Sequence, residues 1–265
     1  MDAIAAAGSE TARLDAELLL CEATGWDRAQ LNAEPERRLP VGASREFAAM
    51  VRRRVRREPV AYILGRQGFR RLELLVDRRV LIPRPETELL VDVALEFQPA
   101  TVIDVGTGSG AVALAVADEI PEAKVAAIDG SLDALRVAQS NVDRLGLARQ
   151  VDVVAAGISS LSQLGPVDLL VANLPYVSEE DWNELQPEIR DYEPKEALVA
   201  GTTGYETIDL LVEAVAALAR RPSAIALEIG AGQSEVVSRL VREAGYADVE
   251  SRPDLAGHDR VVIGR

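Results

Sequence analysis

Two side chains that often carry enzyme chemistry are almost missing from this sequence. Its 265 residues include one cysteine, Cys21, and one histidine, His258. A single cysteine excludes an internal disulfide framework. One cysteine and one histidine also nearly exclude a zinc site or a Cys–His catalytic pair. Cys21 ends an apolar, helix-like run over residues 18–21, which favours a buried, inert thiol. We therefore expect no metal site.

Long apolar runs and a net positive charge are missing as well. No stretch of about 18 apolar residues is present, and the acidic N-terminus does not resemble a signal peptide. We therefore expect a cytoplasmic protein that does not contact membranes. The net charge of −14 argues against loose binding to nucleic acid. Residues 1–80 carry +3 and residues 81–265 carry −17, which reflects either ordinary surface solubility or different partners for the two segments.

The pattern of apolar residues divides the chain into three parts. Residues 1–60 contain short stretches of helical spacing, and residues 61–82 contain an alternating run that predicts a β-hairpin linker. Residues 83–265 alternate between predicted strands and predicted helices. Five arginines between positions 52 and 57 crowd one helix of the first part. They form either a solvated helix face or a docking site for an acidic partner.

The alternation in the third part predicts a parallel, doubly wound sheet. The last two apolar runs, 246–251 and 260–264, have no helix between them and predict an antiparallel hairpin at the edge of that sheet. A helix through Phe97 is predicted to begin within the proline-rich segment 83–88. The other predicted strands are 101–105, 124–128, 151–155, 167–172 and 223–229, and the other predicted helices are 110–118, 132–144, 205–219 and 233–243.

A glycine-rich turn follows the first of these strands. Gly106, Gly108 and Gly110 allow the backbone to turn sharply and to approach a ligand closely. The next strand ends at Asp129, at the usual distance for an acidic residue that accepts hydrogen bonds from both ribose hydroxyls of a nucleotide. Asp129 could instead cap the helix that follows. A nicotinamide cofactor and an adenosyl cofactor both remain possible at this point.

The segment Asn173-Leu174-Pro175-Tyr176 follows a later strand and separates these two cofactors. The Asn173 side-chain oxygen and the Leu174 carbonyl can together accept hydrogen bonds from the two N–H groups of a planar amide or aromatic amine. Pro175 stiffens the turn, and Tyr176 offers a face for stacking. Such a site suits methyl transfer from S-adenosylmethionine, which needs positioning and electrostatics rather than a metal.

With these motifs the sequence resembles the HemK-type glutamine methyltransferases, which modify peptide chain release factors. The resemblance covers nearly the whole chain and includes the segment Leu81–Glu88, whose stretch Ile82–Thr87 is much more specific than the glycine-rich turn. The other matching segments are 59–65, 104–110, 173–176, 192–194, 197–201, 228–230 and 254–260.

The resemblance implies a seven-stranded, Rossmann-like methyltransferase sheet and a small helical N-terminal domain that docks the release factor. We also expect a monomer without direct contact to nucleic acid. The methyl group would go to the glutamine of a Gly-Gly-Gln loop. Asn173, Pro175 and Tyr176 would be catalytic. The cofactor would be held by Gly106, Thr107, Gly108, Ser109, Gly110, Asp129, Ile158 and Asn173. The substrate would be held by Asn173, Leu174, Pro175, Tyr176, Arg84, Glu86 and Thr87.

Two positions depart from the family pattern. Leu174 replaces a proline, which keeps the backbone carbonyl but frees one φ angle. The usual acidic residue near Gly157 is missing, so we expect backbone groups and Ile158 to hold the adenine. The form Asn-Leu-Pro-Tyr also occurs in ribosomal-RNA adenine dimethyltransferases. An RNA adenine methyltransferase is therefore one alternative, and a non-catalytic binding module with the same fold is another.

Overall fold

The computed structural model describes residues 1–34 and 36–265 and divides the chain into two compact units. Unit 1 comprises Met1–Arg66 and Gln186–Tyr192, and unit 2 comprises Gln67–Leu185 and Glu193–Arg265. The helices are α1 (Asp2–Ala6), α2 (Ala12–Thr24), α3 (Arg28–Ala33), α4 (Ala43–Val55), α5 (Val60–Leu64), α6 (Glu88–Phe97), α7 (Ala111–Glu119), α8 (Leu132–Leu145), α9 (Pro187–Arg190), α10 (Glu206–Ala216) and α11 (Ser234–Glu243). The strands are β1 (Arg66–Phe69), β2 (Leu72–Leu75), β3 (Thr101–Val105), β4 (Lys124–Asp129), β5 (Val151–Ala155), β6 (Leu169–Ala172), β7 (Val177–Ser178), β8 (Val199–Gly201), β9 (Ala224–Glu228), β10 (Val249–Pro253) and β11 (Asp259–Gly264).

Unit 1 is helical and is built from α1 to α5 together with α9. Its apolar cluster includes Ile4, Leu19, Met50 and Ile63, which come from four different helices. Burial of such side chains contributes most of the free energy that holds short helices together, because helices of this length are marginal by themselves. The segment that contains α9 joins this unit although it lies more than a hundred residues away in sequence.

A buried ionic cluster lies beside this apolar core. Arg54 is 5% exposed and donates to Asp15 Oδ2 at 2.7 Å, to Ser9 Oγ at 3.0 Å and to Glu188 Oε1 at 2.8 Å. Arg57 donates to the other oxygen of Glu188. Both guanidinium groups are therefore neutralised inside unit 1, and Glu188 is the residue through which α9 joins this cluster.

These contacts correct, for three of the five arginines, the interpretation of the arginine-rich helix as a solvated face or a docking site. Arg53 donates to both oxygens of Glu58, at 2.8 and 2.7 Å, and Arg54 and Arg57 belong to the buried cluster. The two remaining arginines, Arg52 and Arg56, are exposed. For Arg54 and Arg57 the sequence could not show this difference, because their acidic partners Asp15 and Glu188 lie 39 to 134 residues away along the chain.

The main sheet lies in unit 2. Within the described residues its seven strands have the order β10-β11-β9-β6-β3-β4-β5. The five strands from β9 to β5 in this order are parallel, whereas β11 is antiparallel to β9 and β10 is antiparallel to β11. The prediction of an α/β, doubly wound sheet with an antiparallel C-terminal edge and an N-terminal helical region is confirmed.

The inner strands are apolar because helices cover both faces of the sheet. Every residue of β6 and of β9 is buried, as expected for central parallel strands.

Strands β1 and β2 form a separate two-stranded sheet within the predicted linker segment. The predicted run 246–251 begins before the strand, since β10 starts at Val249. Tyr246, which precedes the strand, is buried and donates its hydroxyl to the Pro222 carbonyl at 3.1 Å. In the part of the chain that the structure describes, no helix is long and apolar enough to cross a membrane.

Candidate active site

The candidate site lies at the carboxyl ends of β3, β4 and β6. Because these strands are parallel neighbours, the segments that follow them meet at one edge of the sheet, where open α/β sheets bind ligands. A cavity of about 590 Å³ opens there, large enough for a nucleoside-sized ligand. The structure therefore brings the glycine-rich turn, the end of β4 and the segment after β6 to a single cavity.

Most of the residues predicted from the sequence line this cavity. Arg84, Glu86, Gly110 and Tyr176 are not among the described residues that line it. The predicted residues that do line it are Thr87, Gly106, Thr107, Gly108, Ser109, Asp129, Ile158, Asn173, Leu174 and Pro175.

The glycine-rich turn packs directly against the segment after β6. Gly106 has a φ of +74°, which L side chains rarely adopt. A Cβ atom at this position would lie 2.9 Å from Leu174 Cδ2. The N–H groups of Gly106 and Thr107 both donate to the Ile128 carbonyl at 2.9 Å, which fixes the turn to the end of β4. Backbone conformation and close contact thus both require glycine at position 106.

Asp129 connects the glycine-rich turn to the loop after β4. Its Oδ2 accepts from the Gly108 N–H at 3.0 Å, and its Oδ1 accepts from the Ser131 N–H at 2.8 Å. Helix α8 is capped by Ser131, whose Oγ accepts from the Ala134 N–H at 3.2 Å. The N-cap role considered for Asp129 therefore belongs to Ser131. Each carboxylate oxygen has more than one lone pair, so Asp129 can still accept from a ribose diol, and the residues fit an adenosyl group.

A buried acid lies below the turn. Burial raises the pKa of Asp104 to about 6, although hydrogen bonds from the Thr107 hydroxyl and the Ala113 N–H act to lower it. These bonds are 2.6 and 3.2 Å long. Asp104 thus connects Thr107 to the first turn of α7 and holds the glycine-rich turn in place from the buried side.

Asn141 is a supporting residue that the motifs did not reveal. It is fully buried on α8, and its Nδ2 donates to the Ser109 carbonyl at 2.9 Å and to the Leu75 carbonyl at 3.0 Å. Its Oδ1 accepts from the Leu75 N–H at 2.7 Å. One side chain therefore fixes both the glycine-rich turn and the end of β2. One feature of the sequence could have indicated this role: Asn141 is a polar residue on the otherwise apolar face of α8, four positions after Val137.

The segment after β6 is held from two sides. The Asn173 Nδ2 group donates to Thr87 Oγ1 at 3.0 Å, which engages the nitrogen end of the side-chain amide. Gln233 donates to the carbonyls of Tyr176 and Gly204, both at 3.2 Å, and accepts from the Gly230 N–H at 2.8 Å. Gln233 is a second supporting residue that the motifs missed, because the Tyr176 and Gly204 carbonyls lie 57 and 29 residues away in sequence.

Tyr176, the last residue of this segment, lies in a charged environment. Burial raises the pKa of Tyr176 to about 12, and the charge of Glu228 adds to the rise while Arg260 and Arg84 oppose it. The phenol therefore stays protonated. Arg84 forms an ion pair with Glu193, whose other oxygen accepts from the Ile82 N–H at 3.0 Å. The segment before α6 is thus fixed by a buried carboxylate.

Comparisons with known proteins identify the family. The PrmC N-terminal domain family matches residues 2–65, and a methyltransferase domain family matches residues 102–192. The release factor glutamine methyltransferase of Caulobacter vibrioides is 37% identical over 267 residues, covering 99% of this chain and 92% of the relative. The chain belongs to the release factor glutamine methyltransferase family. Relatives of the same name from Chlorobaculum tepidum and Geobacter sulfurreducens are 40% and 39% identical, over 94% and 99% of this chain and 88% and 92% of the relative.

Membership of the release factor glutamine methyltransferase family confirms the resemblance seen in the sequence and S-adenosylmethionine as the methyl donor. Solved structures agree on the fold. The hMettl16 catalytic domain, solved with a 3'UTR hairpin, superposes with a TM-score of 0.57 at 14% identity, over 72% of this chain and 75% of that one. A human methyltransferase 10 domain-containing protein superposes with a TM-score of 0.52 at 16% identity, over 72% of this chain and 89% of that one. At such identities the likeness shows the fold alone.

Proposed function

We propose that this chain transfers a methyl group from S-adenosylmethionine to the side-chain amide nitrogen of the glutamine in the Gly-Gly-Gln loop of a peptide chain release factor. The observation that carries the proposal is the position of Asn173. Its Nδ2 is engaged by Thr87, and the residue lines the same cavity as the glycine-rich turn. Oδ1 is therefore the end of the Asn173 amide that can accept a hydrogen bond from a substrate.

The substrate amide must be oriented because its nitrogen lone pair is delocalised into the carbonyl group. The nitrogen can face the methyl donor only when the amide plane is fixed. Asn173 Oδ1 and the Leu174 carbonyl would accept from its two N–H groups and so hold the nitrogen towards the methyl donor. Pro175 fixes one φ angle of this turn, and Tyr176 would stack on the amide plane. The cofactor supplies an activated methyl group on a sulfonium. Arg84, Glu86 and Thr87 would border the substrate from the segment before α6.

The cofactor would be held by the glycine-rich turn, by Asp129 at the ribose and by Ile158 at the adenine. The proposal takes residues 1–60 as the domain that docks the release factor, 61–82 as the linker and 83–265 as the methyltransferase domain. It also retains the predictions of a monomeric protein in the cytoplasm. The match of residues 2–65 to the PrmC N-terminal domain supports the treatment of the first segment as a domain of its own.

An RNA adenine methyltransferase is the second candidate, favoured by the form Asn-Leu-Pro-Tyr. The net charge of −17 over residues 81–265 disfavours it, because enzymes that act on nucleic acid usually surround the site with lysine and arginine. The test is to incubate the chain and cofactor separately with purified release factor and with ribosomal RNA, and to analyse both by mass spectrometry. We expect one added methyl group on the loop glutamine of the release factor. Methylated adenine instead would establish the second candidate, and turnover of neither substrate would favour a binding module.

The cofactor site gives a separate prediction. Asp129→Ala removes two charge-assisted hydrogen bonds to the ribose and one acceptor of the Gly108 N–H. We expect cofactor binding to weaken by about 1–3 kcal/mol, measured by calorimetry with S-adenosylhomocysteine. Asp248→Ala, at an exposed position in the same unit, is the matched control. Unchanged affinity in Asp129→Ala, or tighter binding of NAD than of the adenosyl ligand, would contradict the assignment.

A further inference from the structure

The main chain of Tyr176 is held on both sides of its Cα atom. Its N–H donates to the Leu198 carbonyl at 3.1 Å. Its carbonyl oxygen accepts from Gln233 Nε2 at 3.2 Å. Gly204 approaches the same oxygen so closely that a Cβ atom on Gly204 would lie 2.6 Å from it. The main chain of Tyr176 therefore cannot shift without breaking these contacts.

The side-chain amide of Gln233 is matched to three backbone groups. Gln233 is 8% exposed, and its Oε1 accepts from the Gly230 N–H at 2.8 Å. Its Nε2 carries two protons, and it donates to the carbonyls of Tyr176 and Gly204. A reversed amide would place Oε1 against these two carbonyl oxygens, so the partners determine which end of the amide faces Tyr176. Gln233 thus joins the loop after β9 to Tyr176.

Gly230 lies two residues after β9 and directly beside the Tyr176 ring. A Cβ atom on Gly230 would lie 3.1 Å from Tyr176 Cδ2 and 3.1 Å from Gln233 Oε1. The first distance is shorter than the optimal separation of about 3.5–4.0 Å between carbon atoms. The φ angle of Gly230 is not in the left-handed region that favours glycine. The space beside the ring, and not the φ angle, is therefore what a side chain at position 230 would lack.

We propose that Gly230 and Gln233 are positioning residues that set the orientation of the Tyr176 ring towards the substrate amide. The proposal rests on the proposed function, in which this ring stacks on the amide plane. Stacking can orient the amide only if the ring itself has one orientation. Because the main chain of Tyr176 is held, the ring can move only by rotation about its side-chain bonds. The contact with Gly230 limits that rotation, and the half-buried Tyr176 keeps part of its surface accessible.

The first test is Gly230→Ala, which adds one methyl group and removes no hydrogen-bonding group. The added atom should turn the Tyr176 ring, because the ring must yield by a few tenths of an ångström. We expect the single-turnover rate of release factor methylation to fall by roughly tenfold, since a misplacement of about 1 Å can cost about a hundredfold. The affinity for S-adenosylhomocysteine should equal that of wild type, because Gly230 and Gln233 are not among the described residues that line the cavity. Gly68→Ala is the matched control, with no atom within 4 Å of the added carbon, and should match wild type.

Two further readouts separate an effect on the ring from a general effect on folding. The chain contains five tyrosines, so NMR spectra with isotope-labelled tyrosine rings are simple, and Tyr176→Phe identifies the signal of Tyr176. Gly230→Ala should shift this signal and leave the others in place. In a double-mutant cycle, Gly230→Ala should slow wild type but should not slow Tyr176→Ala further, because its effect passes through the ring.

A second variant tests the amide of Gln233. Gln233→Met keeps the length of the side chain but removes both N–H donors. It should lower the single-turnover rate and shift the same tyrosine signal. Gln139→Met makes the same change at an exposed position of α8 and should match wild type in both measurements.

The outcomes separate this proposal from the proposed function. The positioning role is wrong, while the proposed function stands, if Gly230→Ala keeps the wild-type rate or leaves the Tyr176 signal unshifted. The same holds if Gly230→Ala slows Tyr176→Ala by the factor by which it slows wild type. If wild type methylates no glutamine in the release factor, both the function and the positioning role are overturned.

Discussion

Replacing Asn173 with alanine should lower kcat on the release factor by roughly a hundredfold or more, by analogy with removal of one preorganised hydrogen-bonding group. The substitution removes one of the two proposed acceptors for the substrate N–H groups, and the Leu174 carbonyl could not fix the amide plane alone. The decisive measurement is the single-turnover rate of methylation at saturating cofactor. At saturation, any small change in cofactor affinity leaves the rate unaffected.

The control for this variant is Asn183→Ala, at an exposed position in the same unit. Its single-turnover rate should equal that of wild type. The thermal unfolding midpoint of Asn173→Ala should remain close to that of wild type, because the side chain makes one hydrogen bond, to Thr87, at a partly exposed position. Equal methylation rates for Asn173→Ala and wild type would mean that Asn173 serves only as a turn residue, and the mechanism proposed for the site would then fail.

The second large effect concerns stability rather than catalysis. Glu188→Gln removes the negative charge that Arg54 and Arg57 share, and their side chains are only 5% and 19% exposed. Asp15 remains the ionic partner of Arg54, so Arg57 is the guanidinium left without an acidic partner among the described residues. Loss of one partner of a buried pair leaves a charge without compensation, and such changes cost about 3–5 kcal/mol. We expect a loss of this size in the free energy of unfolding of unit 1, measured by urea denaturation. Glu10→Gln, an exposed position in the same unit, should change it little.

The pH dependence of stability gives an independent check on the same residue. Burial acts to raise the pKa of Glu188, but hydrogen bonds from Arg54 and Arg57 prevail and lower it from the ordinary value of 4.5. Because the folded pKa lies below the unfolded one, the stabilisation is complete above pH 4.5 and is lost as the pH falls further. Wild type should therefore lose more stability than Glu188→Gln during acidification. Parallel pH curves for the two proteins would show that the ion pair contributes nothing.

The sheet could be predicted from sequence because central parallel strands are apolar along their whole length. Strands β3 and β5 match the predicted ranges, and β4 extends one residue further. The glycine-rich turn, Asp129 and Asn173 were found because each follows such a strand. The parallel arrangement then brings the strand ends to one edge, so residues far apart in sequence can be assigned to one cavity without knowledge of any side-chain contact.

The supporting residues could not be predicted in the same way. Asn141 and Gln233 act through hydrogen bonds to groups that lie 29 to 66 residues away in sequence, and no local pattern encodes such bonds. The same reason explains the misinterpreted arginines, since the partner of Arg54 and Arg57 is contributed by α9. Nothing in the local sequence indicated that Gln186–Tyr192 groups with the first 66 residues. Local pattern therefore located the motifs, whereas long-range contacts determine how the motifs are held.

The close approach between Gly106 and Leu174 has a consequence for how this chain can change. The site of a Cβ atom on residue 106 is already taken by the end of the Leu174 side chain, which is itself 5% exposed. The two positions are therefore epistatic: the effect of a substitution at one depends on the residue at the other. A smaller side chain at 174 would make room for alanine at 106, but the left-handed backbone there would still resist it. Variation in the segment after β6 is thus limited by the volume that the glycine-rich turn leaves, so the two segments must diverge together.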